Sequence, residues 1–331
     1  MHYTVFGIFK NGYDIIVGME ITIKTILIII LINLLVAPIL VLLLRKLRFY
    51  KKIETDKEIE KRRNKRYYKY MLSNIATPSS FGVLLILLLA IYVSVFKTSS
   101  EPLIISSSAI LLGTLGFIDD IFEFFLYRKM NRWGMRARYK MPIQILVLFI
   151  AILLLSKSFI LAGILAIPLA FILNSFNITD GIDGLATGIA IPAFLFLAYL
   201  EYIKYGQSSI LFLILLVLTF LTTFFVFNIK PAKVFLGDSG SYAIGAILAL
   251  LTIRYNLLFT IPVIAIFLIE GLSSFIQIFS IKVFKKKFFK IAPLHLDLLN
   301  SGWSQWKVIL TAWTVQIVIS TLTYVIYSYV G

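Results

Sequence analysis

The residues of this chain best equipped for chemistry are carboxylates set among apolar segments. An ionised acid near lipid depth is costly and is seldom kept without a task. Two of them lie in Asn174-Ser-Phe-Asn-Ile-Thr-Asp-Gly-Ile-Asp-Gly-Leu-Ala-Thr-Gly188, which long apolar runs flank on both sides. Asn174, Asn177, Asp180 and Asp183 recur every three residues, so on a helix they form one slowly drifting polar stripe. Close helix packing accounts for Gly181, Gly184 and Gly188. It does not account for two carboxylates three residues apart, which repel unless a cation or donors sit between them.

Three further constellations carry comparable chemistry. Gly116-Phe-Ile-Asp119-Asp120-Ile-Phe-Glu123 ends an apolar run. Adjacent aspartates on a helix point about 100° apart, while Glu123 returns to the face of Asp119. Paired acids at a membrane surface suit Mg²⁺, which takes one or two carboxylates plus substrate phosphate; a charged helix end beside Arg128 and Lys129 is the plainer alternative. Asn228-Ile-Lys-Pro-Ala-Lys-Val-Phe-Leu-Gly-Asp238-Ser-Gly-Ser241 leads a glycine turn into the next apolar run. Free backbone N–H groups at such a helix start bind phosphate, and Asp238 alone could be an N-cap. Phe235 in the same stretch is more often core than a stacking platform. The segment from Lys282 to Trp303 holds His295, one of only two histidines, and a lone histidine is commonly structural.

The elements that must position these groups are membrane spans. Of the 331 residues 60% are hydrophobic and the mean hydropathy is +0.95, against roughly 45–50% apolar in soluble domains. The chain reads as an all-α polytopic membrane protein, one integral-membrane domain over residues 1–331. Ten spans are expected at 21–44, 81–96, 103–118, 141–156, 159–173, 185–203, 208–227, 242–256, 258–280 and 307–330, each near the ~20 residues that cross a bilayer as helix. The first twenty residues include Asp14 and Glu20 and lack a basic region before an apolar core, so a cleaved signal is not expected. With no cysteine, disulfides, thiolate metal sites and cysteine nucleophiles are excluded.

The formal charge of +16 points to membrane orientation and not to nucleic acid, because the basic residues cluster in loops between spans. Loop 45–80 holds twelve Lys and Arg, segment 119–140 holds six, and 281–306 adds Lys282, Lys285, Lys286, Lys287 and Lys290. The mixed charges of Lys51–Arg63 read as a solvated helix near anionic headgroups. The positive-inside bias puts both termini outside, and that parity places 119–140, 174–184, 228–241 and 281–306 together on the cytoplasmic face. One convergent cytoplasmic site is the economical reading.

In this order and on these loops, the four constellations resemble the polyprenyl-phosphate N-acetylhexosamine-1-phosphate transferase superfamily, and within it the phospho-N-acetylmuramoyl-pentapeptide transferases. The likeness covers residues ~70–313 and rests on several spaced motifs. Asn177-Ile-Thr-Asp-Gly-Ile-Asp-Gly-Leu-Ala186 and Phe227-Asn through Ser241 match nearly throughout; Gly116 to Asp120, the spacing Gly134…Lys140…Gln144, and Glu270-Gly-Leu-Ser…Gln277 also match. The family's Thr-Pro-Thr-Met-Gly-Gly is Thr77-Pro-Ser-Ser-Phe-Gly82 here, and the basic residue before it reads Asn74-Ile75. Its run of three histidines survives as His295-Leu296-Asp297, with Leu299 where an acid is expected.

The resemblance implies transfer of phospho-N-acetylmuramoyl-pentapeptide from its UDP carrier to undecaprenyl phosphate, with release of UMP, in the bacterial cytoplasmic membrane. It implies Mg²⁺ held by Asp238, with Asp119 and Asp120 binding metal or deprotonating the lipid phosphate. Asn177, Asp180, Asp183, Asn228, Phe235 and Gln277 are implied to hold the uridine diphosphate, and Lys140 and His295 to contact phosphate or sugar. Another UDP-N-acetylhexosamine is the alternative donor. Expected partners are these substrates, membrane lipids and, among proteins, a second copy of the chain. A coupled transporter is a rival of another class, but such sites favour the bilayer midplane and inverted repeats. Here the acids sit at span ends on one side, and no repeat is visible.

Overall fold

In a computed structural model that describes residues 23–50, 76–96, 99–130, 135–255 and 257–330, every regular element is a helix. Most of the basic loop 45–80, Asn74-Ile75, Gly134 and both chain ends lie outside the described residues. In chain order the helices are α1 (Ile23–Lys46), α2 (Val83–Val95), α3 (Ser100–Met130), α4 (Ala137–Ser156), α5 (Phe159–Thr179), α6 (Leu185–Tyr205), α7 (Ser209–Asn228), α8 (Gly237–Arg254), α9 (Leu257–Val263), α10 (Ala265–Phe284), α11 (Leu294–Asn300) and α12 (Gln305–Val330). Eight of them, α1, α3 to α7, α10 and α12, are long and apolar enough to cross a bilayer. The chain is an integral membrane protein, because only structures that satisfy their own backbone polar groups can sit in hydrocarbon.

The two remaining expected spans take other forms. Span 81–96 is the thirteen-residue α2. Span 242–256 starts earlier, at Gly237, as α8, and every residue from Ser239 to Arg254 is buried. A helix apolar all round belongs at the centre of a bundle. Small residues allow the approach of its neighbours: a Cβ at Gly113 would press on the Ser239 carbonyl and Ala243, and one at Gly116 would overlap the Asp238 backbone. Gly245 gives α5 the same access at Leu173.

Expected span 258–280 is broken at Ile264, between α9 and α10. Pro262 precedes the break, and Gln316 on α12 donates to the Val263 carbonyl at 2.8 Å, satisfying a group the broken helix leaves over. α3 runs 31 residues, well past the expected end, so Asp119 and Asp120 lie within a helix and not at its tip.

One end of the bundle gathers the four polar segments. The other end is closed by ionic contacts: Arg254 of α8 binds Glu201 of α6 through Nε at 3.0 Å and Nη2 at 3.1 Å, and also pairs with Glu101 of α3. Tyr255 and Ser208 donate to the remaining positions on the Glu201 carboxylate, whose side chain is fully buried. α3 and α8 are therefore tied at both ends, by Glu101–Arg254 here and by Asp120 at the polar end.

Candidate active site

Asp120 holds the start of α8. Its carboxylate accepts from the backbone N–H of Asp238 at 2.9 Å and of Ser239 at 3.2 Å, and from Ser80 Oγ at 2.8 Å. These are donors of the first turn of α8, which no intrahelical carbonyl can satisfy. An anion there also meets the positive end of the helix dipole. Gly237, at φ +77, turns the chain into α8 so tightly that a Cβ would press on Ser80 and on the Asp120 carboxylate. Segment 78–82 holds the turn from outside: Phe235 N–H donates to Pro78 O, and Phe81 and Gly82 N–H donate to Phe235 and Leu236 carbonyls.

Beside Asp120, its neighbours form a more open arrangement. Lys140 of α4 places Nζ between Asp119 and Asp238: it pairs with Asp119 Oδ2 and lies 3.2 Å from Asp238 Oδ2. Asp119 accepts also from the Met135 backbone. Asn177 of α5 donates from Nδ2 to Asp238 Oδ1 at 2.9 Å and to Ser241 Oγ at 2.7 Å. Four helices thus converge on two carboxylates sharing one ammonium. The Asp238 side chain keeps 26% of its surface exposed and Lys140 18%, against 5% for Asp119, so the cluster opens at Asp238.

The acid stripe takes a different form from the one its spacing suggests. α5 ends at Thr179, with Asp180 as its C-cap, and a tight turn leads to Gly184 and α6. Asn174 and Asn177 are helical, whereas Asp180 and Asp183 lie in the turn. Asp183 is buried and accepts from Ala232 N at 3.1 Å. Asn228 accepts from Gly184 N at 2.9 Å and donates to Val234 O at 3.2 Å. The 180–184 turn and the 228–234 segment are thereby laced together, with half-buried Phe235 following.

His295 reaches the same turn from α11. Its imidazole packs on Gly181, where a Cβ would overlap Nε2. Glu270 of α10 holds it from behind, accepting from His295 N at 3.2 Å and lying 3.1 Å from Nδ1. Gln277 stands apart: its amide binds the backbone of Phe288 and Phe289 at about the ordinary hydrogen-bond length and shapes the basic loop. The structure brings Asp119, Asp120, Lys140, Asn177 and Asp238 into one bonded cluster, Asp183 and Asn228 into a second, and His295 against the turn between them.

Sequence reasoning left Ser80, Ser241, Glu270 and Trp313 without roles. Ser241 and Glu270 stand inside quoted motifs, and Ser80 inside an eroded one. Trp313 carries no signal, being one aromatic in an apolar span.

Among the described residues, no group of three or more His, Asp or Glu is assembled to hold a metal unaided. Mg²⁺ does not require one, since it keeps waters and takes phosphate oxygens beside one or two carboxylates. Asp119 and Asp238 fit that demand: both are hard oxygen donors already gathered around one positive charge.

Comparison with known proteins bears on the family. Residues 102–256, which contain Asp119, Lys140, Asn177 and Asp238, match the model of glycosyl transferase family 4. A phospho-N-acetylmuramoyl-pentapeptide-transferase of Lactobacillus acidophilus is 33% identical over 77% of this chain and 85% of its own length. One from Staphylococcus aureus is 32% identical over 75% and 84%. A third, from Staphylococcus epidermidis, is 30% identical over 87% and 94%. With relatives of this kind spanning most of its length, the chain belongs to the phospho-N-acetylmuramoyl-pentapeptide transferase family.

Proposed function

We propose that the chain transfers phospho-N-acetylmuramoyl-pentapeptide from UDP to undecaprenyl phosphate, giving the first lipid-linked peptidoglycan precursor and UMP. An oxygen of the lipid phosphate bonds to the sugar-bearing phosphorus, and the bond from that phosphorus to UMP breaks, UMP keeping the electron pair. A membrane-bound phosphate must meet a soluble pyrophosphate, so the reaction belongs where lipid meets cytoplasm. The polar end of the bundle suits that place, and the positive-inside bias puts it on the cytoplasmic face of the bacterial cytoplasmic membrane.

The observation that carries this reading is Lys140 bridging Asp119 and Asp238 at the open edge of the cluster. In phosphoryl transfer most of the catalysis is positioning and charge stabilisation. Asp119 and Asp238 would hold Mg²⁺, which when bound offsets the charge of the pyrophosphate and of the departing UMP. Lys140 supplies a second positive charge to the transferring phosphate. Asn177 fixes the rotamer of Asp238, and Asp120 fixes the helix on which Asp238 rides. Asp180, Asp183, Asn228 and Phe235 form the wall for uridine diphosphate. Gln277 supports this wall indirectly, through the basic loop. His295, oriented by Glu270, faces the sugar side of the turn.

The test supplies purified protein with undecaprenyl phosphate, Mg²⁺ and single UDP-sugars, and measures released UMP. Release with UDP-N-acetylmuramoyl-pentapeptide and not with UDP-N-acetylglucosamine is the expected result. The opposite preference would assign the chain to a related donor, in keeping with His295-Leu296-Asp297 in place of three histidines. No release with either, from protein that remains folded, refutes the reading.

A further inference from the structure

We propose that Trp313, on the C-terminal helix α12, is a positioning residue for the donor: it fixes the turn that carries Asp180 and Asp183. The proposal rests on reading that turn as the nucleotide wall. Nothing in the motifs points to α12, yet its indole reaches into the turn between α5 and α6.

The geometry centres on the residue Gly184. Its N–H is held by Asn228 Oδ1 at 2.9 Å. Its carbonyl accepts twice, from Gly188 N at 3.0 Å as α6 begins and from Trp313 Nε1 at 3.1 Å. Gly184 sits at φ +73, a conformation that few residues but glycine adopt, and the indole closes over it. A Cβ built there would lie 3.5 Å from Trp313 Cζ2. The indole also needs a seat, and Gly188 provides it: a Cβ at that position would overlap Nε1, Cδ1 and Cε2. Phe225 of α7 packs against the same ring, with centroids 5.2 Å apart.

Both hydrogen-bonding groups of Gly184 are therefore tied, one to α7 through Asn228 and one to α12 through Trp313. Trp313 fixes the Gly184–Leu185 peptide and Asn228 the Asp183–Gly184 peptide, so the two bonds meet at Gly184 and together set the backbone that leads from Asp183 into α6. A tryptophan that only filled space could turn its N–H toward any nearby carbonyl. This one takes the carbonyl that starts α6 and ends the turn. Without that bond the turn keeps its fold but loses its tether to α12, and the donor meets a wall that must be ordered further on binding.

The test uses the full-length protein in detergent and UDP as the probe. Calorimetric titration of Trp313→Phe should show Kd for UDP raised about five- to tenfold, the worth of roughly one neutral hydrogen bond. In turnover, the loss should fall on KM for the donor and not on kcat. A second protein carries Trp133→Phe, Trp303→Phe and Trp306→Phe, leaving Trp313 as sole reporter; its emission should shift as UDP saturates. The proposal is overturned if Trp313→Phe binds UDP within about twofold of wild type, or if the emission stays fixed where calorimetry shows saturation. Asp183→Asn separates the two layers. If it binds UDP poorly while Trp313→Phe binds normally, only the role of Trp313 falls. If it binds UDP as wild type does, the nucleotide wall falls and takes the proposal with it.

Discussion

Substituting Asp120 by asparagine tests whether this acid serves the architecture, apart from the neighbours proposed to act in catalysis. The carboxylate accepts three hydrogen bonds, two from the backbone that opens α8 and one from Ser80. An amide keeps a single oxygen, so on one side an NH₂ group faces a donor. At least one charge-assisted bond is lost, worth about 1.5–3 kcal/mol, and with it the charge–dipole contribution of about 0.3–1 kcal/mol. Asp120→Asn should therefore destabilise by about 2–4 kcal/mol. Asp238→Asn keeps an oxygen for Asn177, and Lys140 keeps Asp119 as its counter-ion, so its cost should be smaller. Thermal unfolding in detergent, followed beside UMP release, reads both. Asp120→Asn should unfold several degrees below wild type, whereas Asp238→Asn should unfold near wild type yet release no UMP. An Asp120→Asn protein as stable as wild type, or an Asp238→Asn protein that falls as far as Asp120→Asn, would refute the division of labour.

Other expectations follow from the same contacts. Asp119→Asn should also abolish UMP release with folded protein retained; near wild-type turnover would remove Asp119 from the reaction. His295→Ala should lower activity less than either aspartate variant, because the histidine run of relatives is reduced here to one member, and a collapse equal to theirs would show that reasoning to be wrong. At the far end, Arg254→Met strands buried Glu201 and should cost about 3–5 kcal/mol, seen as early unfolding. The double variant Arg254→Met with Glu201→Leu should recover much of that loss, and a double variant worse than the single would mean the cluster does more than balance charge.

The carboxylates, the four segments bearing them and their common side were legible because each is an exception in an apolar background. Charge parity alone grouped Asp119, Asp180, Asp238 and His295, and the hydrogen bonds of Lys140 and Asn177 and the packing of His295 on Gly181 join those segments. Helix ends were less legible. The regular spacing of polar residues across Thr179 masked the end of α5, although Asp180-Gly181 is a local turn signal; α3 continues past Asp120 since no breaker intervenes. Least legible were roles that exist only across the fold. Asp119 and Asp120 are chemically identical neighbours, and only the arrival of α8 turns one toward a helix terminus and the other toward Lys140. Trp313 meets Gly184 across 129 residues, a pairing no spacing rule contains.

Charge balance supports the proposal that the two acids that remain hold a metal. Asp120 is compensated by the α8 terminus, which leaves Asp119 and Asp238 against Lys140, an excess of one negative charge at the mouth of the cluster. Both substrates are phosphate anions, and each would be repelled from that mouth as it stands. If Lys140 turns to a substrate phosphate, both carboxylates lose their counter-ion together, in a setting where Asp119 is almost wholly buried. Removing one partner of such a pair is costly, so the lysine is released only when another cation takes its position. Under the proposed function, a divalent ion held by Asp119 and Asp238 would do this and would reverse the sign of the mouth at the same time. On this account Lys140 holds the site together between turnovers and serves the phosphate during them.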